Sequence, residues 1–257
     1  MAEGLQPLYK VDLVVEGNSH LYDVAWNGGQ DRYPGVTGML SVINKPALVP
    51  WAKREALSLV EAALMTRLDG RRSARIVLNK AWISSVLIEA KKRPDKLKTE
   101  AADLGSQAHA FIDRIIRGEE PGKVPPEIEA PVRAFRDWWK STKIELLLGD
   151  TKVASREHKF GGSLDALGRR NGKLVILDWK TSNGIYAEYA LQVAAYAQAF
   201  KETYGIACDE AVIVRFGKKL PVDFERKEIA DLNRSFEAFL AAKALKESLE
   251  QPQFIEW

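Results

Sequence analysis

The 257 residues carry a single cysteine, Cys208. One thiol excludes an internal disulfide framework, a four-cysteine zinc site and an iron-sulfur cluster held by one chain. No stretch approaches the roughly 18 consecutive apolar residues that a membrane helix needs. The opening MAEGLQPLYK lacks the basic-then-apolar order of a secretory signal, so the expected compartment is the cytoplasm and no membrane partner is expected. Neither a Gly-x4-Gly-Lys-[Ser/Thr] phosphate loop nor a Gly-x-Gly-x-x-Gly fingerprint occurs, so no ATP motor and no nucleotide cofactor are expected. Internal repeats, low-complexity tracts and a linker rich in Gly, Ser or Pro are also missing, which favours one domain over two.

Charge is nearly balanced, with 38 basic and 35 acidic residues and a net of +3. Its distribution is uneven: ten basic residues, Arg71, Arg72 and Arg75 among them, face three acidic ones between Arg67 and Lys98. Such an excess suits either a phosphate backbone or a solvated helix face.

Apolar periodicity predicts two opening strands, Tyr9 to Val15 and Leu21 to Trp26, around Glu16-Gly17-Asn18-Ser19. Helical periods follow: a short segment capped by Thr37, then Val49 to Thr66, Ser73 to Lys92 and Asp95 to Arg117, with Pro94 as a break. A further helix is predicted near Ile128 to Ser141, and strands from Lys143 to Thr181. The remainder reads as a helix near Ile185 to Tyr204, strands near Ala211 to Phe216 and Val222 to Glu225, and a helix from Glu228 to Leu249. The whole is an α/β domain, residues 1–257, with a hairpin and helical elaboration over 1–142 and a core over 143–257.

The most informative stretch runs from Gly161 to Thr181. Asn171-Gly172 between two apolar-patterned runs signals a hairpin whose turn needs positive φ at both residues. Cross-strand partners then have numbers summing to 343, which sets Asp165 opposite Asp178 with β-carbons roughly 4.5 to 5.5 Å apart. Alternation gives Ile176, Asp178 and Lys180 one face of the second strand and Val175, Leu177 and Trp179 the other. Opposed like charges destabilise a sheet, and a divalent cation between them would relieve the repulsion. The alternative is that one Asp pairs with Lys180 and the other is solvated.

Glu157, Gly162-Ser163-Leu164-Asp165, Asp178-Trp179-Lys180-Thr181 and Gln192-Val193-Ala194-Ala195-Tyr196, in that order, resemble the motifs of the PD-(D/E)XK nuclease superfamily in its RecB-like exonuclease branch. Gly105-Ser106-Gln107-Ala108-His109 resembles the Gly-x-x-x-His element of that branch. Tyr33-Pro34-Gly35-Val36-Thr37 is similar to a Pro-Ser-Val-Thr segment of phage and mitochondrial members, with Gly35 in place of Ser. The resemblance implies a central mixed β-sheet flanked by helices, a restriction-endonuclease-like core, and a Mg2+- or Mn2+-dependent DNA nuclease acting on DNA ends. It implies Asp165, Asp178, His109 and the Trp179 carbonyl as metal ligands, and Lys180 beside the attacking water. Glu157 would bind a second cation, hold the Lys180 ammonium or form a surface ion pair; Gln192, Tyr196 and Thr37 would contact DNA or steady the site. Expected partners are linear or single-stranded DNA and a helicase or recombination protein, in a phage or prophage setting. The competing classes are a non-catalytic nucleic-acid-binding subunit with the same fold, a structure-specific endonuclease and a small-molecule metallohydrolase.

Overall fold

Asn171 and Gly172 turn the chain with φ of 52° and 82°, and the strands on either side pair from Arg170↔Lys173 to Ala166↔Leu177 in the expected register. These strands, β5 (Phe160–Arg170) and β6 (Lys173–Lys180), are the centre of the fold. The computed structural model describes residues 5–17, 19–68, 78–217 and 224–251.

A five-stranded sheet forms around this hairpin in the order β4-β5-β6-β7-β8, with β4 (Glu145–Ser155), β7 (Glu210–Phe216) and β8 (Phe224–Glu228). It is mixed, because β6 and β7 run parallel while the other neighbours are antiparallel. A parallel pair needs a crossover, here the helix α5 (Ala187–Tyr204). Strand β6 is buried from Val175 to Trp179, as expected of a strand covered on both faces. On one face Ile176 and Ile213 pack with Val193, Ala197 and Phe200 of α5 and with Phe239 of α6 (Leu232–Leu249). On the other, Val175, Leu177, Trp179 and Phe216 meet Phe135 of α4 (Pro126–Ser141) and Ile112 of α3 (Lys80–Ile116). Phe135 contacts Trp138, Trp139, Trp179 and Phe216 with ring centroids 5.2 to 5.9 Å apart. Each such ring removes about 150 to 250 Å² from water, roughly 4 to 6 kcal/mol of transfer free energy before ordering costs.

The N-terminal region has three strands where two were expected: β1 (Lys10–Glu16), β2 (Ser19–Trp26) and β3 (Gly29–Pro34). The third, GQDRYP, lacks apolar alternation and buries Tyr33 alone, so periodicity could not find it. It is held by ladder pairing to β2 and by Arg32, which donates to Asp23 and Glu16. Thr37 lies inside the short helix α1 (Val36–Met39), whose N-cap is Gly35, and a 3-10 turn over Leu40–Val42 follows.

Two further expectations need correction. Pro94 does not end a helix, since α3 continues through it from Lys80 to Ile116. An internal proline removes one hydrogen bond at about 3 kcal/mol, and strong helix formers on both sides sustain the cooperative run. Helix α6 starts at Leu232 because β8 extends through Glu228 and Asp231 caps the helix, accepting the Arg234 N–H.

The chain divides by its contacts into two units, residues 1–43 with 107–257, and residues 44–106. The strands β1 to β3 therefore belong with the central sheet, and no division falls at residue 142. The Tyr9 hydroxyl donates to the Ala154 carbonyl and Thr203 donates to the same oxygen, joining the N-terminal segment to β4 and α5. The second unit holds α2 (Leu48–Leu68) and most of α3, as far as Ser106. Within it, α2 has no buried residue, and Arg93 and Glu55 form an ion pair at 3.7 Å. No helix among the described residues is long and apolar enough to cross a membrane.

Candidate active site

Asp178 is the single charge in the buried run of β6 and is 2% exposed. A carboxylate taken from water is costly unless its oxygens are satisfied. Lys180 Nζ stands 2.6 Å from Asp178 Oδ2, but off the hydrogen-bonding direction, and that oxygen accepts no hydrogen bond among the described residues. The same ammonium lies 4.9 Å from the centre of the Tyr189 ring, a cation–π contact.

Asp165 is differently placed. Backbone pairing between β5 and β6 ends at Ala166↔Leu177; one residue further, Asp165 Oδ2 accepts the Trp179 N–H at 2.6 Å. Its Oδ1 is 3.3 Å from His109 Nδ1. His109 comes from the end of α3, where Ala108 and Ile112 are fully buried and orient the helix. The structure thus brings together His109, Asp165, Asp178 and Lys180, residues up to 71 positions apart in the chain.

The electrostatics follow from this arrangement. Burial opposes the charge of Asp165, but His109, Lys180 and the Trp179 N–H outweigh it and hold the carboxyl below its ordinary range. Burial raises Asp178 to about 6, with Asp165 adding to the rise and Lys180 opposing it. Burial disfavours the Lys180 ammonium, but the two aspartates overcome this and raise its pKa. Burial likewise disfavours the His109 imidazolium, and Asp165 reverses the effect.

Two acidic residues not singled out from the sequence join the group. Asp113, one helical turn after His109, is raised to about 6 by burial, then by Asp150 and Asp165. Its spacing of four residues from His109 was the available signal. Asp150 has a φ of 41° and sits between Gly149 and Thr151, which pair with Ala166 and Leu164. Its carboxylate holds Lys152 Nζ at 2.5 Å. A register shift between Leu146 and Leu148 precedes it, and nothing in the sequence announces that shift.

Gln192 and Tyr196 share a face of α5 as expected, and the Gln192 amide donates to the Tyr196 hydroxyl at 2.6 Å. Thr37 Oγ1 is 3.5 Å from the same amide nitrogen. The Tyr196 ring lies so close to Gly162 that a β-carbon there would come within 2.4 Å of it, and a β-carbon at Gly161 would come within 2.3 Å of Tyr22. Paired glycines before Asp165 therefore admit two aromatic rings against β5. Gly35, which stands where Ser was expected, has a similar reason: a β-carbon would lie 2.9 Å from the His20 carbonyl oxygen.

Glu157 does not join Lys180. It lies in the β4–β5 turn, its carboxylate 3.8 Å from His158 Nε2 and its N–H donating to Glu202. The five steps from Phe160 to Asp165 alone span roughly 16 Å of extended strand, which is why the turn cannot reach the aspartates. Ligand atoms of Glu157, His158 and Glu202 fall within 4.8 Å of one another. Glu202 also accepts from Ser155 at 2.7 Å and Gln198 at 3.0 Å, so this cluster fastens the turn. Arg71, Arg72 and Arg75 lie outside the described residues. Trp179 places its indole in the aromatic cluster on the opposite face while its N–H is committed to Asp165.

Two carboxylates and an imidazole are of the donor type that Mg2+ or Mn2+ takes, although the trio whose ligand atoms gather within 4.8 Å among the described residues is Glu157, His158 and Glu202. The buried Asp178 oxygen without a hydrogen bond, and the rise of its pKa beside Asp165, are what a bound cation would satisfy.

The family model that matches the chain is that of the PD-(D/E)XK nuclease superfamily, over residues 82–254. Among solved structures, SSO0001 aligns with 86% of this chain and 78% of its own, at 15% identity and a TM-score of 0.37. The alkaline exonuclease LHK-Exo from Laribacter hongkongensis aligns with 56% of this chain and 81% of its own, at 17% identity and a TM-score of 0.28. No curated protein matches the sequence.

Proposed function

Because the chain belongs to the PD-(D/E)XK nuclease superfamily, we propose that it is a Mg2+- or Mn2+-dependent deoxyribonuclease that hydrolyses phosphodiester bonds at DNA ends. The observation that carries the reading is the buried Asp178 carboxylate, one oxygen of which accepts no well-directed hydrogen bond among the described residues, in a cluster with Asp165, His109 and Lys180.

Asp165, Asp178 and His109, with the Trp179 carbonyl, would hold the cation. Bound there, a divalent ion makes a coordinated water more acidic and offsets negative charge on the phosphate. The protein's own groups do the rest. Lys180, its pKa raised by the two aspartates, stays an ammonium at neutral pH and serves as a fixed positive charge beside the developing phosphorane oxygens, not as a base. Asp178 and the Tyr189 ring fix its position. The Trp179 N–H fixes one carboxylate oxygen of Asp165. Gln192, Tyr196 and Thr37 form a hydrogen-bonded edge that steadies the site or meets the DNA strand.

Action at ends fits a sequence without a recognisable base-reading module. The basic segment with Arg71, Arg72 and Arg75 would supply phosphate contacts. A helicase or recombination protein as partner, a phage or prophage origin and a cytoplasmic setting belong to the same reading. The test is incubation of purified protein with end-labelled linear duplex, covalently closed circular and single-stranded DNA, and with RNA, in Mg2+, Mn2+ or EDTA. Loss of linear DNA with intact circles is expected in either metal, and none in EDTA. Binding without cleavage in every condition would make the chain a nucleic-acid-binding subunit instead.

A further inference from the structure

A cavity of about 470 Å³ opens beside the first turn of α5, within the size range of small-ligand sites. Its apolar lining includes Ile213, Ile229 and Ala190. Tyr186, Lys227 and Arg234 also line it. Ile213 pairs with Asp178 across the parallel β6–β7 ladder, so the cavity begins on the strand next to the candidate active site.

Tyr186 is unusual among the aromatic residues of this region. It is the N-cap residue of α5 and is 46% exposed. Its ring is nevertheless held. Tyr189 meets it edge-on at 5.5 Å and 69°, and a β-carbon at Gly184 would lie only 3.8 Å away. Tyr189 is the same residue whose ring contacts Lys180 Nζ. Two successive ring contacts therefore connect the open Tyr186 ring to the ammonium at the site.

The charges around the cavity are unequally engaged. Lys227 is paired with Glu225 at 2.8 Å, Glu228 faces Arg170 at 3.9 Å, and Asp231 accepts the Arg234 N–H. The Arg234 guanidinium has no acidic partner among the described residues. A half-exposed aromatic ring held by a neighbouring ring, apolar lining residues and one guanidinium without an acidic partner among the described residues suit a flat heteroaromatic group attached to a phosphate.

We propose that this cavity receives the base of an unpaired nucleotide close to the scissile phosphate, stacked on Tyr186, with Arg234 on a flanking phosphate. The inference rests on the nuclease reading above and narrows its substrate to DNA that is single-stranded, or frayed, at the point of cleavage. A base inside a duplex has both faces covered by its neighbours and must leave the stack to enter a cavity, whereas an unpaired base gives up least. Stacking on an aromatic ring tolerates any base, in keeping with a protein that reads no sequence.

The experiment measures binding apart from cleavage. In a cleavage-blocked Lys180→Ala background with Mn2+, fluorescence anisotropy follows short single-stranded oligonucleotides in which each nucleotide in turn is replaced by an abasic residue. One abasic position should weaken binding by roughly 5- to 100-fold. Adding Tyr186→Ala should weaken the intact oligonucleotide by a similar factor and erase the penalty at that position. Tyr186→Trp should retain it, and Arg234→Gln should weaken binding equally for intact and abasic strands. Melting curves of each variant control for folding, and Tyr186→Leu, which keeps bulk without an aromatic face and should also erase the penalty, keeps the test decisive if the Ala variant unfolds. An abasic penalty that Tyr186→Ala and Tyr186→Leu leave unchanged, or no penalty at any position, would overturn the inference. If wild-type protein cleaves no nucleic acid but the Tyr186-dependent penalty is present, the nuclease reading fails while the base-binding cavity stands.

Discussion

The two ends of the β5–β6 hairpin share one register and differ in what they do with charge. At the turn end, Glu210 takes both Arg170 and Lys173, the latter at 2.9 Å, and Asp209 accepts the Leu174 N–H. Every charge there has a partner near solvent. At the open end, Asp178 is buried with an oxygen that meets the Lys180 ammonium but accepts no well-directed hydrogen bond among the described residues, and Asp165 beside it leans on a backbone N–H and a histidine. Ion pairs near solvent hold the turn end, whereas at the other end burial opposes the charge of Asp178 more than the Lys180 ammonium beside it restores. The comparison separates groups that build the hairpin from groups that the hairpin exists to present.

The sharpest way to break this comparison is Lys180→Ala. Cleavage should fall by about 1000-fold, as for loss of one transition-state donor, while calorimetric titration still shows Mn2+ binding, because an ammonium is no ligand. Loss of Mn2+ affinity equal to that of Asp165→Ala would refute the division of roles.

A smaller effect distinguishes the two aspartates from each other in metal-free protein. Mutual repulsion alone suggests that either Asn variant should be as stable as wild type. The geometry corrects this for Asp165, whose charge is favoured by its partners; Asp165→Asn should lose about 1 to 3 kcal/mol near pH 7, read from urea unfolding in EDTA. Asp178→Asn should instead gain stability at that pH. If both variants lose stability equally, Asp178 is held as firmly as Asp165 and the proposed cation site loses its energetic support.

The pH dependence gives that prediction a sign. Asp178 binds its proton more tightly folded than unfolded, since burial raises it from 3.8 to about 6. Its favourable contribution is complete below pH 3.8 and is lost as pH rises through about 6. The advantage of Asp178→Asn in EDTA should therefore grow between about pH 4 and pH 6 and then level off. For Asp165 the sign reverses: its lowered pKa stabilises the fold above 3.8 and is lost as pH falls through the folded value. An advantage of Asp178→Asn that is flat across pH 4 to 7 would contradict the assigned proton.

The smallest effect lies at the turn. Gly172 has a φ of 82°, and Gly172→Ala should cost about 1 kcal/mol in chemical unfolding through left-handed strain. Mn2+ affinity should stay unchanged. A change in metal binding from this substitution would mean that the two ends are not independent.

How far the sequence disclosed this structure depends on the kind of signal. Asn171-Gly172 gave a register that holds to Ala166↔Leu177, because turn chemistry is local. Asn27-Gly28 carries the same dipeptide and sits in the turn between Trp26 and Gly29, yet the strand after it was missed because its residues are polar. Pro94 misled in the opposite direction, since local preference yielded to a long cooperative helix. At the site, His109, Asp165, Asp178 and Lys180 were legible as motifs, and Asp113 was available from helical spacing. Asp150 depends on a shift in strand pairing, and Tyr189 on a ring of α5 meeting the ammonium at the end of β6. Both arise only once the chain is folded. Glu157 had motif position without proximity.

The glycine pair of β5 has a temporal consequence. Tyr22 reaches Ser163 across 141 positions of chain, and its ring occupies the space that a side chain at Gly161 would fill. During synthesis at about 5 to 20 residues per second, the amino-terminal strands emerge roughly 7 to 28 seconds before the surface they pack on exists. For that interval they are a small meander with one exposed apolar face. Tyr9, Tyr22 and Tyr33 on that face carry polar tips, which makes the wait in water less hazardous than a row of leucines would. Closing so long a loop is slow, so docking of the first strands onto β5 is expected among the last steps of maturation, after the carboxylates have been set in place.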